Sequence, residues 1–495
     1  MQVSGSHSRS SLGRPLGNLE VFFKTLADQG KPLKREHWTI HLSMTLELPL
    51  SCPDPVPNLK CAWQVMRLQH PELGASITSE MNNNDSVSRP ILVPTNIDLE
   101  AWTTNTFTIL EAVSGDEVFS SLHDTAYPTC TWLPTSSQLI IISSHWRVDG
   151  VGMCLLGHHF MTALAATIGS ELHPFTIAAS LGANYQDTSK VELPKSLEEL
   201  APAFSRHPNL HREGDSPVLA AGADALVAEF LQGIPSIGLP TIAGSEAAIP
   251  SSSGRTARVL DADTTALISS SCRNMGFTVT SAVHAAIVRA TTSFPQHPQA
   301  KSYAAFVPVD LRPMLGDSAD QQIGLYFSGL PVCVESSLLH QGGESFNLIA
   351  RKLGSVYSRD QARFWKSSDS SSDDDYLSLL DLVKPYVQRT TALFSTPAPE
   401  GFPLVQTPDL SSVGKIEKYI KTTYCSESDQ EAVKVVDVWI GTEMLNRSIQ
   451  FHVWSWMGAL NLAASFNTSF YEKAFVVGVV DLVIEELLVG CGVKR

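Results

Sequence analysis

Apolar residues along this chain fall either into short continuous runs, typical of buried strands, or into the three- and four-residue spacings typical of helices. Residues 139–142 form a run of four apolar side chains, three of them β-branched, which predicts a buried strand. Residues 152–168 follow almost at once and leave little polar face, which predicts a mostly buried helix. His145 lies between the two, at the end of the predicted strand.

Predicted strands and helices alternate through the rest of the chain as well. Helical spacing begins at Leu19, and a proline-initiated helix is predicted to run through Gln69. Further helices are predicted over residues 266–275, 281–290 and 471–488, and strands over residues 38–42, 255–260 and 303–309. A hairpin is predicted over residues 449–466, with its turn at Met457 and Gly458.

A chain of 495 residues is too long for one ordinary core, so we expect two α/β domains of roughly 200 to 250 residues. The composition of residues 191–250 shifts to proline, glycine, serine and mixed charge, which predicts an interdomain connection. The N-terminal lobe is then residues 14–190 and the C-terminal lobe residues 251–495. Residues 1–13 are polar and serine-rich, and we expect a disordered tail there.

The composition narrows the classes of function and partner. The net charge is −15 and no Lys/Arg cluster occurs, which disfavours nucleic acid as a partner. The eight cysteines form no Cys-x-x-Cys pair, so no metal site and no disulfide framework is expected. No stretch approaches a membrane span or a signal peptide, and we expect a cytoplasmic monomer without a bound cofactor. The acidic residues 367–375 predict a solvated loop.

His145 is the strongest candidate for a general base, because a rigid strand can present its imidazole to a cleft and its ordinary pKa suits proton transfer. The alternative is a histidine that packs in the core. His211 also has an aspartate four residues later, but it lies in a polar segment without strand or helix, so we treat it as a decoy. His158 and His159 are more simply polar groups of a packed helix.

The six residues from His145 to Gly150 resemble the His-x-x-x-Asp-Gly signature of the chloramphenicol acetyltransferase superfamily, which includes condensation domains and the plant BAHD acyltransferases. Residues 307–313, Val-Pro-Val-Asp-Leu-Arg-Pro, resemble a strand of its stand-alone condensation-like members. Residues 278–286 resemble the helix start before that strand, and residues 454–471 resemble a segment of fungal O-acyltransferases such as the trichothecene 15-O-acetyltransferase group. The resemblance extends from about residue 14 to 488.

This resemblance implies a fold of two chloramphenicol-acetyltransferase-like lobes with a tunnel at their interface. It also implies direct acyl transfer with His145 as general base. The matching aspartate of the superfamily usually pairs with an arginine, so Asp149 is expected to be structural and paired with Arg312, although direct catalysis by Asp149 stays open. Gly150 lacks a Cβ atom and would let the backbone approach closely.

Four residues are expected to contact substrate. Ser411 and Ser412 belong to a Ser-Ser-x-Gly step that lies near the acyl channel in relatives, while Trp146 lies within the signature and Trp454 in the C-terminal hairpin. The plant motif Asp-Phe-Gly-Trp-Gly is absent, and Ser144 stands where peptide-synthetase domains carry a second histidine. Both departures favour a stand-alone fungal enzyme with acyl-CoA as co-substrate.

The residues display a single base, with no nucleophile elbow and no phosphate loop, and one base suffices for acyl transfer from an activated thioester. The resemblance adds coenzyme A as donor carrier, acetyl as the favoured group and a specialised metabolite as acceptor, so we predict an acyl-CoA-dependent O-acyltransferase that acts on a terpenoid or polyketide alcohol. Two alternatives stay open. One is binding or cyclisation of a small molecule without acyl transfer, and the other is amide-forming condensation from an acyl group on a carrier protein.

Overall fold

The computed structural model describes residues 13–80, 89–95, 98–183, 193–211, 216–316, 321–340, 344–367, 375–425 and 432–494. The expected tail therefore lies outside the described residues except for its last position. Most of the acidic stretch 367–375 also lies outside them.

Helices and strands alternate through the described chain. The helices are α1 (Asn18–Asp28), α2 (Val56–Gln69), α3 (Leu99–Thr106), α4 (Gly115–Ser120), α5 (Gly150–Thr167), α6 (Pro174–Ser180), α7 (Leu197–Phe204), α8 (Pro217–Leu231), α9 (Ala262–Met275), α10 (Val279–Thr292), α11 (Ser336–Leu339), α12 (Ser345–Tyr357), α13 (Leu379–Ser395) and α14 (Lys473–Gly490). The strands are β1 (Arg14–Pro15), β2 (Ile40–Glu47), β3 (Ser76–Glu80), β4 (Arg89–Val93), β5 (Phe107–Ile109), β6 (Thr129–Leu133), β7 (Gln138–Ser143), β8 (Ser253–Leu260), β9 (Tyr303–Asp310), β10 (Phe327–Val334), β11 (Asp409–Lys415), β12 (Thr423–Cys425), β13 (Ala432–Thr442), β14 (Gln450–Trp456) and β15 (Ala459–Asn467).

The first lobe is built on a six-stranded sheet in the order β12-β13-β2-β7-β6-β5. Strand β7 lies inside this sheet, antiparallel to both β2 and β6. Residues Leu139, Ile140 and Ile141 are fully buried, which means that both faces of β7 are covered, and this explains its continuous apolar run. Helix α5 packs beside α2 on this sheet and is buried over most of its length.

The second lobe contains a four-stranded sheet in the order β11-β14-β15-β8 and a separate β9-β10 pair. Helix α10 packs against both α12 and α14, while α14 contacts β8 and β15 of the four-stranded sheet and α12 contacts β10. The buried apolar residues of the described part of the chain form two separate clusters, one for each lobe. The expected α/β fold with two lobes is therefore confirmed.

The two lobes exchange segments, so the predicted boundaries need correction. Strand β13 comes from the C-terminal half of the chain but pairs with β2, from Lys434 opposite Glu47 to Thr442 opposite Ile40. Helix α1 makes the reverse exchange, since its Phe23 packs in the apolar cluster of the second lobe. Both exchanges are long-range pairings, which the spacing of apolar residues along the chain does not reveal.

The segment 191–250 is also more than a connection. Helices α7 and α8 pack on α13, and their Leu197, Leu219 and Leu226 are almost fully buried in the second cluster. The proline and glycine content that suggested a linker belongs instead to the turns around these helices. Elsewhere the predicted elements lie within a few residues of their observed limits, and the hairpin turn has Met457 and Gly458 at φ values of 49° and 83°. None of the helices within the described ranges combines the length and the apolarity that a membrane span requires.

Candidate functional site

A cavity of about 1120 Å³ lies between the lobes. Its walls come from α1, the turn before α5, β9, β10, α13, β11 and the residues that follow α13. Aromatic side chains are prominent among the lining residues and include Phe22, Phe23, Trp38, Phe230, Phe306, Phe327, Phe394 and Phe402. Such a volume and lining suit a substrate of drug-like size with a mainly apolar body.

His145 lies on the wall of this cavity, in the turn that joins β7 to α5. Its imidazole stacks on the ring of Phe23, with 4.1 Å between centroids and 13° between planes. The rings of Phe327 and Trp38 lie at centroid distances of 5.9 and 6.4 Å. The imidazole is therefore enclosed by aromatic rings from α1, β10 and the approach to β2.

Burial lowers the pKa of His145 to about 4, although the nearby backbone and the charge of Asp149 oppose this shift in part. The imidazole is consequently neutral at pH 7, which is the form that can accept a proton. Its Nδ1 atom is buried and has no hydrogen-bond partner of good geometry among the described residues. The structure thus places a neutral imidazole, the candidate base, on the wall of a large cavity.

Asp149 holds the turn that carries this base. It is the N-cap of α5, where its Oδ1 accepts a hydrogen bond from the Gly152 amide at 2.6 Å. Its Oδ2 accepts one from Arg312 Nη1 at 3.0 Å and one from the Tyr326 amide at 2.8 Å. The expected pair with Arg312 is therefore present and buried, and the carboxylate is directed at the helix and at the second lobe.

Arg312 has further partners that fix its position. It donates to Asp310 Oδ1 at 3.0 Å and to the carbonyl oxygens of Gln322 and Gly324 at 3.2 to 3.3 Å. Because the partners of Arg312 belong to the second lobe and Asp149 to the first, the ion pair ties the base-carrying turn to the other lobe.

Gly150 and Gly152 both lie in the first turn of α5, and the close contact that excludes a Cβ atom is at Gly152. A Cβ atom on Gly150 would meet only Val413 Cγ2, at 4.0 Å, so the expected close approach of backbone is not observed there. Since Gly150 lines the cavity, its missing side chain leaves room for substrate. A Cβ on Gly152 would lie 2.8 Å from Val148 and 3.1 Å from Arg312 Nη2, so it is Gly152 that permits the approach of the arginine.

Ser411 and Ser412 both line the cavity, on strand β11. The Ser412 hydroxyl lies 3.1 Å from the hydroxyl of Thr280, at the start of α10. The register of β11 against β14 shifts between Ser412 and Gly414. The structure therefore brings both serines to the cavity that holds His145.

The two tryptophans expected to contact substrate do not line the cavity. Trp146 is buried in the apolar cluster of the second lobe, and the guanidinium of Arg147 lies 4.1 Å from its ring centre. Trp454 is fully buried and donates from Nε1 to the Val438 carbonyl at 3.0 Å, which links β14 to β13. Both indoles are directed into packed interiors, so the expectation of substrate contact needs correction for both.

The other histidines considered also lie away from the cavity wall. His211 bonds to the buried Asp381 at 3.1 Å. His158 lies 2.9 Å from the Tyr424 hydroxyl, and His159 Nδ1 lies 3.0 Å from His70 Nε2. Within the described ranges, no group of three or more side chains is arranged to hold a metal ion.

Several lining residues carry no sequence signal that connects them with the cavity. Phe23 lies in the helix predicted from Leu19 and Trp38 in the strand predicted over residues 38–42, and nothing local connects either residue with His145. Asp409 and Gln450 lie side by side at the cavity, in register on β11 and β14. No pattern of apolar residues along 409–415 indicates this role, because Leu410 is the one buried residue of β11.

No family model matches the chain. An Epichloe uncinata protein named as the loline biosynthesis cluster 1 transcription factor lolU1 is 29% identical over 493 residues, which cover 97% of this chain and 94% of that protein. The acetyltransferase pigO of Monascus ruber is 26% identical over 505 residues, which cover 100% of this chain and 98% of that protein.

Among solved structures, the trichothecene 15-O-acetyltransferase of Fusarium sporotrichioides superposes with a TM-score of 0.75 at 16% identity. The match covers 97% of this chain and 95% of that one. Together these likenesses confirm the resemblance drawn from the sequence, including the two-lobed fold.

Proposed function

We propose that this condensation-like acyltransferase of the chloramphenicol acetyltransferase fold transfers an acyl group, with acetyl favoured, from coenzyme A to a hydroxyl of a terpenoid or polyketide. The observation that carries the proposal is the position of His145, a neutral imidazole on the wall of a large cavity between the lobes. The names of pigO and of the Fusarium enzyme support acetyl as the group transferred.

His145 acts as general base in this proposal. Its imidazole takes the proton from the acceptor hydroxyl as the oxygen attacks the thioester carbonyl, and a tetrahedral intermediate forms. When the intermediate collapses, the carbon–sulfur bond breaks and the imidazolium returns the proton to the departing thiolate. The imidazole stacks on Phe23, and the hydrogen bond of Asp149 with Arg312 fixes the turn that carries it. Both contacts support reaction between groups held in a fixed orientation.

The charges of the lining indicate how the donor enters. Arg312 is the one Lys or Arg side chain among the described lining residues, and it is already paired with Asp149 and Asp310. The phosphates of coenzyme A would therefore lie outside the cavity, with only the thin pantetheine arm inside. A carrier protein would present the acyl group on the same kind of pantetheine arm. The donor test therefore compares free acetyl-CoA with an acetylated carrier protein.

The test of the base uses His145→Ala with acetyl-CoA and an extract of the producing fungus. The wild type should give a product heavier by one acetyl group, and the variant should be slower by roughly a hundredfold to ten-thousandfold while it stays folded. His123→Ala is the matched control, because His123 is exposed and does not line the cavity. His211 is less suitable, since its bond to the buried Asp381 gives it a structural role.

Near-normal turnover in His145→Ala would contradict the proposed mechanism. Saturable binding of an extract component without any mass gain would favour the alternative in which the cavity only binds or cyclises a small molecule. The words "transcription factor" in the name of lolU1 apply to that protein. For this chain, the net charge of −15 opposes binding to DNA.

A further inference from the structure

A carboxyl group at the cavity wall has no role in the chemistry described above. Asp409 begins β11 and lines the cavity, and its backbone amide donates to the Ile449 carbonyl at 3.2 Å. Its Oδ1 atom is buried and has no hydrogen-bond partner among the described residues. A buried oxygen without a partner is costly, so the described residues leave the charged form of this carboxyl group incompletely stabilised.

The neighbouring side chains orient this carboxyl group. Gln450 lies opposite Asp409 in register, and its Oε1 accepts a hydrogen bond from the Thr442 hydroxyl. That bond occupies the oxygen of the amide and leaves its N–H groups free to approach Asp409. Burial raises the pKa of Asp409 to about 7, and the contact with Gln450 opposes this rise. The Thr442 hydroxyl is in turn 3.2 Å from His452 Nε2, so a further side chain fixes the position of Thr442 and with it that of Gln450.

The lining provides no cation for this carboxylate. Arg312, the one Lys or Arg among the described lining residues, is bound to Asp149 and Asp310. Burial lowers the pKa of the lining residue His37 to about 3, so that imidazole is neutral at pH 7. An ionised Asp409 would therefore gain most from a positive charge that the ligand brings.

The same charge indicates which substrate makes the contact. The pantetheine arm of coenzyme A carries no positive charge, and the phosphates lie outside the cavity in the proposed function, so a cation that pairs with Asp409 comes from the acceptor. Asp409 lies four positions before Val413, the residue nearest to Gly150. At about 3.3 Å per residue of strand, the backbones of Asp409 and Val413 are on the order of 13 Å apart.

We propose that Asp409 is a specificity-determining residue that binds a protonated amine of the acceptor. The inference rests on the proposed function and deepens it, because it defines the acceptor class as amino alcohols with a mainly apolar body. In this class the amine lies at the end of the molecule away from the reacting hydroxyl, because Asp409 lies four positions along β11 from Val413, the residue beside Gly150.

The test compares three rigid acceptors of equal length that carry, at the end away from the reacting hydroxyl, a tertiary amine, its carbon isostere or a second hydroxyl. The wild type with acetyl-CoA should favour the amine over the carbon isostere at least tenfold in kcat/KM, mainly through KM. In Asp409→Asn, which keeps size and polarity but removes the charge, this ratio should fall to near one. Asp263→Asn, at an exposed aspartate far from the cavity lining, should retain the wild-type ratio.

Equal use of the amine and the carbon isostere by the wild type would overturn the assignment, as would an unchanged ratio in Asp409→Asn. Preference for the second hydroxyl over the amine would also overturn it, in favour of a neutral donor. If no acceptor is acetylated, the proposed function has failed, and calorimetric binding of the three compounds then tests the amine site separately. Amine binding that Asp409→Asn weakens at least tenfold would support the site without acyl transfer.

Discussion

The carboxyl group that organises the site belongs to Asp149, which holds the turn that carries the candidate base His145. Three hydrogen bonds meet its carboxylate, from the amide of Gly152, the guanidinium of Arg312 and the amide of Tyr326. None of them comes from the imidazole, so the carboxylate stabilises the turn and the contact between lobes. This geometry favours a positioning role for Asp149 over direct participation in proton transfer.

Substitution Asp149→Ala should therefore reduce stability as well as activity. It removes the N-cap of α5 and leaves Arg312 buried with Asp310 as its remaining carboxylate partner. The loss of one partner of a buried pair costs about 3 to 5 kcal/mol, which thermal or urea denaturation would detect. Asp149→Asn should lose less stability, because an amide oxygen can still accept from the Gly152 amide. Lost activity with an unshifted melting temperature would assign Asp149 to the chemistry instead.

At the scale of elements, α1 covers the base. The helix precedes β2 in the chain but packs on α13 of the second lobe, and its Phe23 lies flat against the imidazole. This contact helps to exclude water from His145, and the exclusion of water lowers the pKa of the imidazole. Helix α1 is therefore part of the candidate active site, even though it lies more than a hundred residues before His145.

Substitution Phe23→Ala should move the pH dependence of catalysis. With the stack removed, water reaches the imidazole and the pKa of His145 should rise from about 4 toward its usual value near 6.5. Since only the neutral imidazole accepts a proton, the acid limb of kcat/KM should shift to higher pH by at least one unit. The lost packing should also cost on the order of 3 kcal/mol of stability.

Phe22→Ala is the control, because Phe22 lines the same cavity but contacts Phe23 and Phe394 instead of the imidazole. Its pH profile should match that of the wild type. An equal shift in both variants would mean that general loosening of α1, and not the ring stack, controls the pKa of His145.

At the scale of the whole molecule, burial affects many titratable groups at once. Burial lowers the pKa of six described histidines to about 3 or 4, and these are His37, His41, His145, His159, His284 and His452. Five carboxyl groups shift in the opposite sense, since burial raises the pKa of Glu36, Glu198 and Asp310 and raises that of Asp409 and Glu443 to about 7. The histidines outnumber the carboxyl groups and should decide the pH dependence of stability.

We therefore expect the free energy of unfolding to fall as the pH drops from about 6.5 toward 4. In that range the unfolded chain protonates its histidines while the folded chain keeps them neutral, which favours unfolding by up to about 1.4 kcal/mol per pH unit for each group. Asp409 and Glu443 gain protons in the folded state at higher pH than in the unfolded state and offset part of this loss. Urea denaturation at pH 7.5, 6 and 5 would measure the slope, and constant stability across this range would contradict the expectation.

Much of the local structure could be predicted from the sequence, because local spacing reflects which face of an element is buried. The run at residues 139–142, the apolar stretch after it and the hairpin turn at Gly458 all correspond to observed elements. The expected partner of Asp149 is also present, since Arg312 lies 3.0 Å away although 163 residues separate the two. That pair was expected from resemblance, and no spacing along the chain indicates it.

Only the tertiary structure decided which distant segments form the cavity. The exchange of α1 and β13 between lobes, the burial of α7 and α8, and the packed positions of Trp146 and Trp454 all depend on contacts between residues far apart in sequence. Asp409 is the clearest case, because a carboxyl group at the start of a strand is usually solvated, and only the surrounding walls leave its Oδ1 atom buried. The sequence by itself determined most of the elements and indicated His145 as the candidate base, whereas side-chain environment is a property of the assembled lobes and determines pKa and candidate specificity.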